Sequence, residues 1–119
     1  MLLDSNIIIY SFQPDQQGLR DLINEQVCCC SVISKIETLG YHQLTSLEQY
    51  YLEAFFNTIE LFAVTDSIAA QAIQLKQAKK LSLGDALIAA TALEHHQTLL
   101  THNRKDFEWI EGLRVIDPL

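Results

Sequence analysis

Four acidic side chains are spread along the chain in contexts where a carboxylate could do chemistry: Asp4, Glu37, Asp85 and Asp106. Asp4 lies within an apolar stretch, where a carboxylate is unfavourable unless it is paired or coordinated to a cation. Asp85 precedes the most uniformly apolar segment of the chain and has no Lys or Arg within one helical turn. Because hard divalent cations prefer carboxylate oxygens as ligands, the set predicts a site for Mg²⁺ or Mn²⁺.

Each of these positions also has a purely structural interpretation. Glu37 and Asp85 fit the third helical position of a capping box, and each taken alone is as compatible with that role as with a metal site. Asp106 taken alone is better explained as the cap of a turn that begins at Phe107. No single position decides between the two interpretations, so the predicted metal site rests on the set.

Other residue types that do chemistry lack the spacing that they need. The cysteines are consecutive, Cys28 to Cys30, so they cannot form an ordinary disulfide, and no second cluster completes a zinc site. We interpret them as core residues of a strand. Ser5 and Ser34 have no His and Asp arranged as a triad, and there is no Gly-rich phosphate loop. His102 lies beside the expected pocket, but a lone histidine is more often structural than a substrate ligand.

The elements that must position the acids alternate between strands and helices. Apolar runs predict strands at residues 2–3, 27–30, 59–64, 98–101 and 113–116. Helical periodicity and capping residues predict helices at 15–24, from Ser34 through Tyr41 and His42, at 46–57, after a cap at Asp66, and at 86–96, with a helical turn at 106–110. Residues 7–10 fit either a strand or a helical turn.

This alternation predicts a mostly parallel sheet with helices on both faces. Open parallel sheets bind ligands at the carboxyl ends of their strands. Asp4 ends the first strand, and Asp106 follows the strand at 98–101 by a short turn. The predicted fold therefore allows all four acids to face one edge of the sheet.

Composition is compatible with one ordinary globular domain spanning residues 1–119. Of the residues, 49% are hydrophobic and 19% are charged, and no apolar run is long enough to cross a bilayer. The amino terminus lacks a signal-peptide pattern, so we expect a cytoplasmic protein. The net charge of −7 argues superficially against a nucleic-acid partner. Bound metal would offset it, and basic residues cluster at Lys76, Lys79 and Lys80 and at Arg104-Lys105.

Four ordered segments, each carrying one of the acids, resemble the PIN-domain ribonucleases, particularly the short toxins of the VapC type. The segments are residues 1–10, 31–39, 83–92 and 101–107. The resemblance covers the whole domain and implies a PIN-like three-layer α/β/α sandwich with a mostly parallel central sheet. It also implies that residues 7–10 form a helical turn.

The resemblance implies metal-dependent hydrolysis of RNA that leaves a 5′-phosphate. Asp4, Glu37 and Asp85 would be the core metal-binding acids. The fourth place falls within residues 101–106, where we favour Asp106 for its charge and Asn103 as an additional ligand or water-orienting group. Expected partners are an antitoxin that inserts into the active site and a second copy of the chain. Substrate contacts are expected from residues beside the acids: Ser5, Asn6, Thr101, Arg104 and Lys105.

Two alternatives belong to other functional classes. A phosphoacceptor receiver domain has a similar length and element order, but it needs an Asp after the third strand and a Lys after the fifth, and neither is present. A catalytically silent interaction module of the same fold could use the aromatic residues at 50–56 as a partner surface. The RNA target, and whether the protein is a toxin, are not encoded in any recognisable motif.

Overall fold

Five short strands form one sheet in the computed structural model, which describes residues 1–119. The strands are β1 (Leu2–Leu3), β2 (Cys29–Ser31), β3 (Glu60–Phe62), β4 (Leu99–Leu100) and β5 (Val115–Ile116). They are arranged in the order β3-β2-β1-β4-β5, and every pairing between neighbours is parallel. The expected α/β fold is confirmed, with a sheet that is parallel throughout.

Seven helices connect the strands. They are α1 (Ser5–Ser11), α2 (Gln17–Glu25), α3 (Val32–Leu39), α4 (Ser46–Thr58), α5 (Asp66–Ala78), α6 (Leu83–Glu94) and α7 (Arg104–Phe107). Side-chain caps begin several of them, including a full capping box between Thr45 and Glu48 at α4. No helix combines the length and the apolar character that a bilayer-spanning segment requires.

The two faces of the sheet contact different helices, which gives the three layers. Successive strand residues point to opposite faces. Leu2, Cys29 and Leu99 pack with residues of α6 and α7 in one core cluster. Leu3, Cys30 and Leu100 pack with residues of α1, α2 and α4 in the other. The Cys29 and Cys30 thiols are buried in these cores, and burial raises the pKa of Cys29 to about 11, in agreement with a structural role.

Small residues let α6 pack closely on both the sheet and α5. Ala86, Ala89, Ala90 and Ala92 are all fully buried. Ala86 and Ala90 contact Ile68 and Ala72 of α5, while Ala89 and Ala92 face the sheet. The uniformly apolar segment after Asp85 is thus buried along most of its length.

Residues 7–10 belong to helix α1, which confirms the helical turn that the family resemblance implies, and packing against the sheet overrides their β propensity. Several other predicted element boundaries are wrong. Helix α3 is capped by Ser31, whose hydroxyl accepts from Ile33 N, and Ser34 lies inside the helix. That helix ends at Leu39 and does not reach Tyr41. Thr65, rather than Asp66, caps α5.

Candidate functional site

The carboxyl ends of β1 and β4 meet where the strand order reverses, which is where open parallel sheets form ligand sites. Asp4 follows β1 directly and Thr101 follows β4 directly. The Thr101 hydroxyl donates to Asp4 Oδ2 over 2.7 Å, and Asp4 N donates to the Leu100 carbonyl over 2.9 Å. These contacts hold the Asp4 carboxylate in a defined position between the two central strands.

Asp4 is a buried carboxylate without a basic partner. It is the N-cap of α1, and its Oδ1 accepts from Ser5 N at 2.8 Å. The pKa of Asp4 is raised to about 6, mainly by burial and to a smaller extent by the negative charges of Asp85 and Glu37. The hydrogen bonds from Thr101 and Ser5 lower this pKa, but they do not outweigh the cost of burial.

Ser5 connects Asp4 to Glu37. While its backbone N–H donates to Asp4, its hydroxyl donates to Glu37 Oε1 over 2.7 Å. The Ser34 hydroxyl of α3 lies 3.1 Å from Ser5 Oγ. Glu37 is an exposed residue of α3. Its capping-box interpretation is wrong, because the N-cap of this helix is Ser31 rather than Ser34. The position of its carboxylate is set by Ser5 at the start of α1.

Glu37 also approaches the first turn of α6. A Cβ atom added to Gly84 would lie 2.7 Å from Glu37 Oε2, so the backbone of α6 comes close to this carboxylate. Asp85 is the next residue, and its N–H donates to Ser82 Oγ over 3.2 Å. Burial raises the pKa of Asp85, as do the charges of Asp106 and Glu37, and a hydrogen bond with Ser82 opposes them. The charges of Glu37 and Asp106 are thus both electrostatically coupled to Asp85.

Asp106 forms the outer end of this group. It lies inside the short helix α7 and is exposed, so it does not cap a turn at Phe107. Its charge acts on Asp85. Asn103 precedes α7 and makes no side-chain capping bond; its backbone N–H donates to the Thr101 hydroxyl over 3.1 Å. The Thr101 hydroxyl therefore joins the backbone N–H of Asn103 to the carboxylate of Asp4.

None of the four acids forms an ion pair. The two ion pairs in the chain join His102 to Asp117 at 3.2 Å and Arg104 to Glu108 at 3.4 Å. The acids are also spread rather than closed: no three His, Cys, Asp or Glu side chains are close enough together to enclose one metal ion. The arrangement is an open row of carboxylates that lacks positive charge.

A cleft of about 440 Å³ adjoins the outer end of this row. Asp85 and Asp106 lie on one part of its lining, and the other charged or aromatic lining residues are Lys79, Lys80, Lys105 and Trp109. Lys105 is a predicted substrate contact, and Lys79 and Lys80 belong to a basic group that the sequence could not place. Trp109 is a cleft residue outside the predicted set, although its position one helical turn after Asp106 is a usable signal.

The remaining predicted residues have other contacts. Thr101 is fully buried and donates to Asp4, so it does not reach a substrate in this structure. Asn6 Oδ1 accepts from His102 N at 3.4 Å. His102 contacts Tyr10 edge to face, in addition to its pair with Asp117. The His95 ring stacks on Phe62, with 3.6 Å between the ring centres.

Comparison with known proteins supports the relationship seen in the motifs. A segment of 41 residues is 51% identical to "Ribonuclease VapC1" of Rickettsia felis, a match that spans 34% of this chain and 31% of that protein. The structure is similar to the toxin-antitoxin complex from Klebsiella pneumoniae, with 28% identity, a TM-score of 0.80, and coverage of 99% of this chain and 97% of the other.

The same fold is found in the DNA-bound VapBC from Salmonella typhimurium. That chain is 22% identical, with a TM-score of 0.85 and coverage of 98% of this chain and 96% of the other. The family model of the PIN domain matches residues 1–113, which include all four acids. By this match, which extends over nearly its whole length, the chain belongs to the PIN domain family.

Proposed function

We propose that the protein is a divalent-metal-dependent ribonuclease that hydrolyses phosphodiester bonds of cytoplasmic RNA. The observation that carries the proposal is the row of unpaired carboxylates at the carboxyl ends of the two central strands. The short match to a protein named as a ribonuclease supports the choice of substrate. The family fold alone does not, because one fold hosts many activities.

The chemistry of the donor set, rather than the spacing of its open row, fits a hard divalent cation. Asp4, Glu37 and Asp85 offer carboxylate oxygens, which Mg²⁺ and Mn²⁺ prefer. Their mutual repulsion and the absence of a basic partner favour a cation in their midst. When bound, such an ion lowers the pKa of a coordinated water and stabilises negative charge on the departing oxygen. Asp106 completes the set at the cleft, and Asn103 is a further candidate ligand or water-orienting group.

The protein's own residues position these acids and bind the substrate. Thr101 and the Ser5 N–H fix the Asp4 carboxylate, and the Ser5 hydroxyl orients Glu37. Lys105 lies in the cleft beside Asp106, where its ammonium can contact the phosphate of an RNA strand. Arg104 and Asn6 are more distant candidates for substrate contact. Preorganised positions of this kind reduce the reorganisation that the reaction requires.

Replacing Asp85 by Asn tests the proposal. The substitution keeps the shape of the side chain and the Ser82 cap, whose acceptor is the Ser82 hydroxyl and whose donor is a backbone N–H. We expect cleavage of single-stranded RNA in Mg²⁺ or Mn²⁺ to fall by at least about two orders of magnitude, since one charge of the set is lost. The wild-type protein should also be inactive in EDTA.

Asp66→Asn is the matched control. Asp66 also lies in the first turn of a long helix, α5, but it is exposed and has no part in the row of acids. It should retain wild-type cleavage. Undiminished activity of purified Asp85→Asn, or activity of the wild type that survives EDTA, would contradict the proposed mechanism.

We further propose that an antitoxin-like protein binds an apolar groove beside the end of α1. The groove has a volume of about 620 Å³, and its lining includes the exposed residues Ile9, Phe12, Tyr41, Leu47 and Tyr51. A contiguous apolar surface of this kind favours a protein partner. The toxin-antitoxin complex from Klebsiella pneumoniae, which covers 99% of this chain, supports the choice of partner.

Leu47→Asp tests this partner site. A tagged chain co-expressed with a candidate antitoxin should retain that protein and lose RNase activity. Leu47, 63% exposed, can be changed with little effect on folding, and the charge should weaken retention of the partner. Equal retention by the variant would exclude the groove.

Light scattering of the free chain tests the expected homodimer, and a monomer at high concentration would contradict it.

A further inference from the structure

The cleft beside Asp85 and Asp106 has an aromatic wall that the four acids do not explain. We propose that Trp109 is a stacking platform for an unpaired base, and that Lys79, Lys80 and Lys105 bind the phosphates on either side of that base. The inference rests on the proposed ribonuclease function only in naming RNA as the ligand. It adds a contact for one unpaired base of that RNA beside the acids.

The Trp109 ring is held in a fixed orientation next to the acids. Its Nε1–H donates to the carbonyl of Asp106 over 2.8 Å. The ring also packs against the core cluster that contains Phe107 and Ile110. The indole is half-buried and hydrogen-bonded, so its side chain loses little conformational entropy when a base stacks on it. The hydrogen bond keeps the ring beside Asp106, so a base stacked on it would lie next to the acids.

Lys79 lies over the Trp109 ring, with Nζ 5.4 Å from the ring centre. This distance is near the outer limit of a cation–π interaction, and the lysine is exposed. A base stacked on an aromatic side chain contributes more than such a cation does. We therefore expect a base to displace the ammonium group, which can then reach the phosphate of the same nucleotide.

The positive charge of the cleft contrasts with the charge of the whole chain. The net charge is −7, yet three of the eight Lys and Arg residues line this cleft. None of these three forms an ion pair, since the only basic residues that do are His102 and Arg104. Lys76 is different, because it donates to the Leu81 carbonyl and so braces the loop before α6. The three cleft lysines are free to bind phosphate.

Stacking on a protein side chain requires a base that is not already stacked within a duplex. A platform next to the acids therefore selects RNA that is single-stranded at the nucleotide beside the cleaved bond. Aromatic stacking is tolerant of base identity, because every base has a π-face. The cleft thus favours unpaired RNA without fixing its sequence.

Fluorescence tests the platform directly, since the chain contains one tryptophan. A short single-stranded RNA of mixed sequence is titrated into the Asp85→Asn protein in Mg²⁺, where the RNA should stay intact. Saturable quenching of the Trp109 emission is expected, with binding at least about ten-fold tighter than that of a duplex of the same sequence. Absence of quenching by bound RNA, or equal quenching by the duplex, would overturn the proposal.

Trp109→Leu supplies the second readout. Leucine preserves apolar packing against the core and removes the platform, so KM for single-stranded RNA should rise about ten-fold with a smaller change in kcat. Tyr50→Leu is the matched control, because Tyr50 is 68% exposed on α4 and does not line the cleft. An unchanged KM in a folded Trp109→Leu protein would reject the platform. The fluorescence titration tests the platform without cleavage, so its result stands whether or not the ribonuclease assignment holds.

Lys79→Ala separates phosphate binding from stacking. Removing one phosphate contact should reduce the slope of log affinity against log salt by about 0.7 for a single strand. Arg114→Ala removes an exposed positive charge that does not line the cleft and should leave the slope unchanged. If both variants gave the same slope, the cleft lysines would not be the phosphate ligands. Binding is measured without cleavage, so loss of the proposed enzyme activity would not imitate this result.

Discussion

The Asp4 carboxylate accepts hydrogen bonds from the Thr101 hydroxyl and the Ser5 N–H, and both donors are uncharged. Those bonds position the group, yet its pKa is raised from 3.8 to about 6 because burial disfavours the charged form. A raised pKa means that the folded protein holds the proton more tightly than the unfolded chain. The associated stability is fully present below pH 3.8 and is lost as the pH rises through about 6.

Asp4→Asn should therefore stabilise the metal-free protein at pH 7. Asparagine can accept from Ser5 N and donate to Thr101 Oγ1, and it carries no charge to bury. A shift from 3.8 to about 6 corresponds to about 3 kcal/mol at pH 7, and the gain should vanish near pH 4. Urea unfolding in EDTA at several pH values measures it.

The control for this prediction is Asp66→Asn, which changes an exposed carboxylate. Its effect on the free energy of unfolding should be within about 0.5 kcal/mol. A variant at Asp4 that was less stable than the wild type at pH 7 would show that the hydrogen bonds of the carboxylate outweigh its burial. The lowered pKa values of Glu48 and Asp117 belong to both proteins, so their contributions cancel when Asp4→Asn is compared with the wild type.

Some of the residue-scale arrangement could be predicted from the sequence. A carboxylate between Leu3 and Ile7 had no local partner, which singled out Asp4 without any structure. The bridging role of Ser5 and the support from Thr101 could not be predicted in that way. Both depend on which strands are neighbours, and residues 4 and 101 become neighbours only because β1 pairs with β4.

At the scale of elements, the first turn of α6 is where backbone packing and the acids meet. Gly84 is its second residue, and a Cβ there would overlap Glu37 Oε2 at 2.7 Å. The end of a flexible side chain can move aside at little cost, so Gly84→Ala should not unfold the protein. Moving Glu37 would break its hydrogen bond with Ser5.

We therefore expect Gly84→Ala to separate stability from activity. Alanine in a helix favours folding by up to about 1 kcal/mol relative to glycine. Displacement of the Glu37 carboxylate should lower RNA cleavage by about ten-fold or more, since sub-ångström placement matters to catalysis. Thermal unfolding and single-turnover cleavage on the same preparation measure both effects.

Gly18→Ala is the matched control, because Gly18 is also the second residue of a helix, α2, and a Cβ there has no neighbour within 4 Å. It should gain similar stability and keep full activity. Loss of activity in both variants, or in neither, would contradict the proposed effect of the close approach of α6 to Glu37 on cleavage.

Element identity was more predictable than element boundaries. The apolar run after Asp85 indicated a buried helix, and α6 is one. Strands of two or three residues carry too little periodicity to define their ends. At α3, the sequence pattern predicted Ser34 as the cap, whereas the cap is Ser31. Packing decided for Ser31, because Ser34 is fully buried and close to Ser5 of another helix.

At the scale of the whole molecule, an acidic chain presents one basic and aromatic cleft next to its acids. The net charge of −7 describes the average surface and does not describe this cleft. Sequence grouping placed Lys76 with Lys79 and Lys80, but only the latter two line the cleft. Charge distribution in three dimensions depends on where α5 ends relative to α7, which composition cannot indicate.

The proposed metal site also predicts a reversal in how the stability of the whole protein depends on pH. In EDTA the raised pKa values of Asp4 and Asp85 make the protein less stable at pH 7 than at pH 5. A cation that binds only the folded chain adds stability, by about 2.7 kcal/mol at a hundred-fold excess over its Kd. Because protons compete with the cation for the same carboxylates, this gain should grow as the pH rises.

Thermal unfolding at pH 5 and pH 7, in EDTA and in excess Mg²⁺ or Mn²⁺, measures the reversal. We expect Tm to fall from pH 5 to pH 7 in EDTA and to fall less, or to rise, with the cation present. In Asp4→Asn the EDTA decrease should shrink and the cation should add little at either pH, because one ligand of the row has lost its charge. If the cation shifted Tm equally at both pH values, or equally in Asp4→Asn, it would be binding elsewhere, and the carboxylates at the ends of β1 and β4 would not be a metal site.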